Sequence, residues 1–231
     1  ETDLKEILQN YKEEFSTGFS FKELKSENWN QEWEKNFTPV IINDQCVIRA
    51  PFHDPFPNVR FEIIIEPKMS FGTGHHETTA LMADSMLDHA FDGILNKSVL
   101  DMGCGTGVLA ILAAMIGAKE VAAIDNDEWA FANTCENILV NNYNSIKAEL
   151  GDAKLLQGRK FDTILANINR NILLNDMPAY EDSLVSGGNL LMSGFFNTDI
   201  EVLKNKAISL GLKPVGEKSL HNWTILHFIK N

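Results

Sequence analysis

The sequence is poor in cysteine: only Cys46, Cys104 and Cys135 occur in 231 residues, at spacings that form neither a CxxC pair nor a disulfide framework. That excludes a cross-linked secreted scaffold and fits a reducing compartment. Long apolar runs are missing too. No stretch approaches the roughly 18 residues that mark a membrane span, and no basic-then-apolar leader opens the chain. A cytoplasmic protein without membrane contact is expected. Basic side chains are outnumbered, 20 Lys and Arg against 32 Asp and Glu, giving a formal net charge of −12. Such a surface repels phosphate backbones and favours cationic or neutral partners, so direct nucleic-acid binding is not expected. Internal repeats and low-complexity tracts are absent. What is present, 44% hydrophobic and 23% charged residues, lies near globular averages and excludes both disorder and a fibrous chain.

The chain opens with Glu1 directly on a helix-like stretch, so the N-terminal module is read as incomplete. Residues 1–39 carry short mixed segments, a helix over Leu4 to Phe15 and an extended piece over Phe19 to Leu24, which suit a small α+β module. Trp29, Trp33, Phe37 and Pro39 follow at near-helical spacing and read as a packing face between that module and the main domain. Residues 40–66 are taken as a linker with connecting strands. Within them, Pro51, Pro55 and Pro57 exclude a helix or a central strand over Ala50 to Asn58.

After Arg60 strands alternate with helices, the pattern of a doubly wound α/β domain, here spanning 67–231. Strands are expected over Phe61–Ile65, Ser98–Met102, Glu120–Asp125, Lys147–Leu150, Asp162–Ile168, Gly188–Ser193, Lys213–Glu217 and Trp223–Ile229. Phe131, Cys135, Ile138 and Leu139 predict an apolar helical stripe lying on the sheet. Thr198 and Glu201 predict a capping box; Ile200, Leu203, Ala207 and Leu210 continue that helix until Gly211 stops it. Only Lys218 to Asn222 separate the last two strands, too few for a parallel crossover, so these should form an antiparallel hairpin.

The strongest chemical signal is the strand Val99-Leu100-Asp101-Met102 running into Gly103-Cys104-Gly105-Thr106-Gly107 and an Ala- and Leu-rich helix. A Cβ there would block close backbone approach to a ligand. The free N–H groups of the helix start suit an anion, a carboxylate as well as a phosphate. The dinucleotide fingerprint wants its third glycine three positions after the second, whereas position 108 is valine, which argues against a nicotinamide cofactor. Asp125 ends the next strand 22 residues after Gly103, placed to accept bonds from both hydroxyls of a ribose; the alternative is a helix N-cap, for which Asp127 is better placed. Asp152 follows the strand after that, either to receive an adenine amino group or as a solvated loop residue. Asp101 and Asn126 flank Gly103 and Asp125 and complete the candidate set.

Together these residues resemble the class I S-adenosylmethionine-dependent methyltransferases, from about Met69 to the C-terminus. Phe71-Gly72-Thr73-Gly74-His75-His76-Glu77-Thr78-Thr79 and Ala166-Asn167-Ile168 are similar to motifs of the bacterial ribosomal protein L11 methyltransferase (PrmA) family. So is the group Glu27-Asn28-Trp29, Trp33 and Phe37-Thr38-Pro39, which resembles that family's connection between recognition and catalytic domains. The resemblance implies a seven-stranded Rossmann-like methyltransferase domain, S-adenosylmethionine as cofactor, and ribosomal protein L11 as the substrate partner, methylated on lysine side chains and an N-terminal amine. It implies cofactor contacts from Thr79, Gly103, Asp125 and Asn167, with Phe71, Gly72 and Thr73 near the methionyl end; Gly105 belongs to the same loop. Thr78 and Thr79 alternatively only start a helix. His75, His76 and Glu77 lack the H-E-x-x-H spacing of a metal site, so no metal is expected.

Methyl transfer to an amine is an in-line displacement that asks the protein for positioning rather than a nucleophile. The amine must be neutral, and desolvation lowers a lysine's pKa toward that state. Asn167, at a strand's C-terminal end, is the candidate catalytic residue, its side-chain carbonyl holding the uncharged amine with the lone pair on the methyl group; the alternative is an asparagine that merely terminates a strand. Related enzymes acting on adenine or glutamine carry Asn-Pro-Pro-Tyr at this point, whereas this chain has Asn167-Ile168-Asn169-Arg170. Two competing functions stay open: a small-molecule amine methyltransferase, and a noncatalytic adenine-nucleotide-binding module.

Overall fold

A computed structural model describes residues 37–68, 70–88 and 91–231. The predicted helix and extended piece before residue 25, and Trp29 and Trp33, lie outside the described residues. Thr38–Asn231 fold as one compact unit.

The stretch read as linker and connecting strands carries a small sheet: β1 (Val40–Ile42), β2 (Cys46–Arg49) and β3 (Phe61–Ile64), in the order β1-β2-β3. β1 and β2 are antiparallel and β2 and β3 parallel. The turn after β1 places Asn43 and Asp44 at φ 51° and 50°, a left-handed conformation these side chains tolerate. Ile42, Cys46, Ile48, Phe61, Ile63 and Ile65 are buried in one core with Leu81, Met82 and Ile111, so this segment packs as part of the domain.

The main sheet has seven strands: β4 (Ser98–Met102), β5 (Glu120–Asp125), β6 (Lys147–Leu150), β7 (Phe161–Asn167), β8 (Leu184–Phe196), β9 (Leu212–Leu220) and β10 (Trp223–Lys230). Their order is β6-β5-β4-β7-β8-β10-β9. Strands β4 to β8 are parallel, and β10 runs antiparallel to both β8 and β9. The final pair is thus the expected hairpin, with His221 at φ 53° in its turn. Helices α1 (Glu77–Leu87), α2 (Val108–Ile116), α3 (Glu128–Val140), α4 (Arg170–Ser183) and α5 (Ile200–Ser209) cover the sheet. Successive strand side chains alternate faces. Val99, Val121, Ala123, Leu165 and Leu191 join a core with α1 and α2, while Leu100, Ala122, Ile124, Ile164 and Ala166 join another with α4 and α5. The domain is doubly wound, as the alternation of strands and helices implied. Strand order reverses between β5-β4 and β4-β7, which opens a crevice at the carboxyl ends of these strands.

Two local expectations fail. The α3 stripe is only partly apolar: Ile138 is buried in the core as predicted, but Leu139 is 64% exposed, while Asn133, Thr134 and Asn137 are buried. Their partners explain why. β3 is an edge strand, so its outward backbone groups need partners. Asn141 accepts from Ile64 N at 2.9 Å and donates to Ile64 O at 2.6 Å. One turn back, Asn137 accepts from Glu66 N at 2.8 Å, and Asn133 donates to Glu66 O at 3.3 Å. Asparagine amides at i, i+4 and i+8 serve as substitute peptide groups for the missing neighbour strand. The capping box is also absent. A 3-10 turn over Asn197–Asp199 leads into α5, whose N-cap is Asp199, and no side chain caps it.

Candidate active site

A cleft of about 950 Å³ opens at the carboxyl edge of the sheet. Its floor is the glycine turn after β4. Gly103, Gly105 and Gly107 all adopt positive φ, at 69°, 58° and 78°, the left-handed region that glycine enters without penalty. The protein's own chain also calls for glycine here. A Cβ on Gly105 would stand 2.2 Å from Phe71 O, and one on Gly103 2.2 Å from Ile168 Cγ2. The close neighbours are the protein's own chain. Thr106 N donates to Phe71 O at 2.9 Å and Thr106 Oγ1 to Gly72 O at 2.7 Å, so the 71–79 loop is stapled onto the glycine turn.

Asp125, at the end of β5 and 9% exposed, accepts from Gly105 N at 2.9 Å and from Asp127 N at 3.0 Å. It fixes the glycine turn. It is not the helix cap: Asp127 caps α3, accepting from Trp129 N at 2.8 Å and Ala130 N at 3.0 Å. Each Asp125 oxygen retains lone-pair capacity toward the cleft that it lines. Asn126 lines the cleft beside it.

Asp101 lies elsewhere. It is 1% exposed, absent from the cleft wall, and accepts from Ala110 N at 3.0 Å. Its carboxyl thus takes one of the N–H groups at the start of α2 and is buried with the helix end. Burial, with the Asp125 charge adding to it against the Ala110 bond, pushes this carboxyl up to about 7. Asp152 is also outside the cleft lining. It accepts from Lys154 N at 2.9 Å, and that bond holds its carboxyl below the usual range.

Asn167 ends β7 and is 8% exposed. Its Nδ2 donates to Thr79 Oγ1 of α1 at 3.3 Å, and its Oδ1 is buried without a partner. A buried carbonyl oxygen left unpaired is unusual, and this residue lines the cleft. Thr79 is thus a support behind Asn167, while its neighbour Thr78 reaches the cleft. Phe71 lines the cleft, whereas Gly72 and Thr73 are not among its lining residues, Thr73 Oγ1 lying 3.1 Å from His75 Nδ1.

Sequence reasoning missed several lining residues: His76, Trp129, Ile168 and Trp223. His76 caps α1, its ring accepting from Thr78 N, and its ring centroid lies 4.6 Å from that of Trp223. Trp129, 83% exposed, had a usable signal: a large aromatic two residues after the capping Asp127. Trp223 had none. Among the described residues no group of three His, Cys, Asp or Glu is placed to hold a metal, and no helix is long and apolar enough to cross a membrane.

The family profile described as "Ribosomal protein L11 methyltransferase (PrmA)" matches residues 1–231. A Phocaeicola vulgatus protein named "Ribosomal protein L11 methyltransferase" is 48% identical over 232 residues, covering 99% of this chain and 82% of that one. A Porphyromonas gingivalis protein of the same name is 52% identical over 203 residues, covering 87% of this chain and 69% of its own. The crystal structure of a ribosomal protein L11 methylase from Lactobacillus delbrueckii subsp. bulgaricus superposes with a TM-score of 0.76 at 25% identity, covering 84% of this chain and 99% of that chain.

Proposed function

This chain belongs to the ribosomal protein L11 methyltransferase family, and on that premise we propose that it transfers methyl groups from S-adenosylmethionine to amino groups of ribosomal protein L11, on lysine side chains and the N-terminal amine. The observation that carries the amine reading is that Asn167, a residue lining the cleft, has a side-chain oxygen without a partner in the protein. An acceptor of this kind leaves a buried polar group unsatisfied until a donor arrives, and a neutral amine supplies N–H donors while keeping its lone pair free.

S-adenosylmethionine, when bound, supplies an electrophilic methyl group on a sulfonium. The residues fit it: Asp125 offers carboxylate lone pairs for ribose hydroxyls, and Gly103 and Gly105 present bare backbone on the floor. Asn167 orients the amine, held in place by Thr79. Phe71, Ile168 and Trp223 line the cleft beside Asn167 and exclude water from it. The net charge of −12 attracts a basic ribosomal protein in a shared cytoplasmic compartment. Residues 1–39 would serve recognition and 67–231 catalysis, with 40–66 connecting them from within the core of the catalytic unit. A noncatalytic nucleotide-binding module has no use for the acceptor at Asn167.

Incubating the protein with methyl-labelled S-adenosylmethionine and purified L11, then mapping the label by peptide mass spectrometry, tests this reading. Label on lysine and N-terminal amines is expected. Label on small amines but not on L11 would make it a small-molecule enzyme.

A further inference from the structure

Four rings form an unbroken row at the cleft. Centroids of Phe71 and His76 lie 5.1 Å apart, those of His76 and Trp223 4.6 Å, and those of Trp223 and Phe196 4.1 Å with the planes near parallel at 30°. Three of them, Phe71, His76 and Trp223, line the same cleft as Asn167. The two ends of the row stay open, Phe71 52% exposed and Phe196 47%. Trp223 is anchored by packing against the core, while the water-exposed rings that flank it mark a binding surface. Of the four rings only Phe71 belongs to the expected cofactor contacts and touches the glycine turn; His76, Trp223 and Phe196 have no part in them.

The chain's topology brings this row together. β10 is antiparallel to β8, pairing Trp223 with Phe196, so the first residue of the last strand arrives at the edge where the parallel strands end. Asn167 pairs with Ser193 in the same strand β8, three residues before Phe196.

We infer that this row is a methylammonium-binding wall, with Trp223 the residue that determines whether a partly methylated amine is retained for further rounds. The inference rests on the amine reading above. In each transfer the amine lone pair forms an N–C bond while the C–S bond breaks and its electron pair leaves on sulfur. A proton then leaves the product ammonium to solvent before the next round. Every round replaces an N–H donor by a methyl group, so Asn167 loses its grip on the product step by step. An aromatic face has the opposite preference: it attracts the cationic, increasingly apolar methylammonium through its quadrupole, and tryptophan does so best.

The test compares two probes on protein saturated with S-adenosylhomocysteine: N-acetyl-trimethyllysine amide and its neutral isostere carrying a tert-butyl carbon in place of the ammonium. Wild type should prefer the cation by about 2- to 30-fold. Trp223→Leu should bring the ratio near one, and Trp223→Phe should keep most of it. In parallel, mass spectrometry of L11 should show mono- and dimethylated amines accumulating with Trp223→Leu relative to Trp223→Phe. Equal affinities in wild type, or an unchanged ratio in Trp223→Leu, overturn the inference. Wild type that keeps the cation preference but labels no amine of L11 overturns the amine reading instead.

Discussion

The side-chain amide of Asn137 donates to the carbonyl of Thr106 at 2.8 Å, so helix α3 holds the glycine turn from behind while the same side chain accepts from Glu66 N at 2.8 Å. Asn137 is wholly buried. Replacing it by alanine strands both backbone groups, at roughly 1–3 kcal/mol each. Urea denaturation of Asn137→Ala should show a loss of that size, and cofactor affinity should fall as the turn loosens. A loss below about 0.5 kcal/mol, the range of ordinary surface changes, would show that water replaces both bonds.

Asp125→Ala is expected to weaken S-adenosylmethionine binding at least tenfold. It removes charge-assisted bonds contributing about 1.5–3 kcal/mol each, and it frees Gly105 N, which Asp125 holds at 2.9 Å. Calorimetry on the folded variant decides the matter; an unchanged dissociation constant removes Asp125 from the cofactor site.

Asn167→Ala should fold and bind cofactor yet transfer methyl groups about 10²-fold more slowly, because an amine misplaced by about 1 Å loses that much. Single-turnover rates at saturating cofactor make the comparison clean. If the deficit vanishes on saturation, Asn167 serves cofactor binding only.

Asp101 imposes a pH dependence on stability. Its folded pKa of about 7 exceeds the unfolded value of about 3.9, so the native state binds the extra proton between these values. Its contribution is full below the lower pKa and is lost as pH rises through the upper one. Asp101→Asn mimics the protonated side chain and can still accept from Ala110 N. Its melting temperature relative to wild type should therefore climb between about pH 4 and pH 7. A constant difference across that window would mean that Asp101 is ionised throughout.

Gly105→Ala and Gly187→Ala separate two roles of glycine. Both sites have positive φ, 58° and 76°, but nothing lies within 4 Å of a Cβ at Gly187, whereas Phe71 O is 2.2 Å from one at Gly105. The Gly187 variant should lose about 1–2 kcal/mol for the left-handed backbone alone. The Gly105 variant should lose more and also release the 71–79 loop, seen as weaker cofactor binding. Equal losses would mean that the loop shifts freely.

Much of the frame could be read from residue order. Ser98–Met102, Glu120–Asp125 and Lys147–Leu150 are strands at the predicted bounds, because each is a short apolar or alternating run closed by turn-forming residues. β8 was underestimated: predicted over Gly188–Ser193, it extends over Leu184–Phe196, with a register irregularity between Leu184 and Asn189 in its pairing with β7. The α3 stripe misled because hydrophobic periodicity assumes that the buried face is apolar. Here it satisfies backbone groups of Glu66, just beyond β3, and of the glycine turn, which only the fold reveals.

The chain's own order thus determined the glycine turn, the carboxylate at the end of the second main-sheet strand and the asparagine at the end of the fourth, since each follows from a local run into a strand's carboxyl end. Tertiary structure alone decided that Asp101 faces the α2 terminus and not the cleft, that Thr79 supports Asn167 from 88 residues away, and that Trp223 joins the site. The reason is physical: a strand's direction relative to its neighbours fixes which of its ends meets the ligand edge, and for β10 that direction is set by pairing with β8, far from it in the chain.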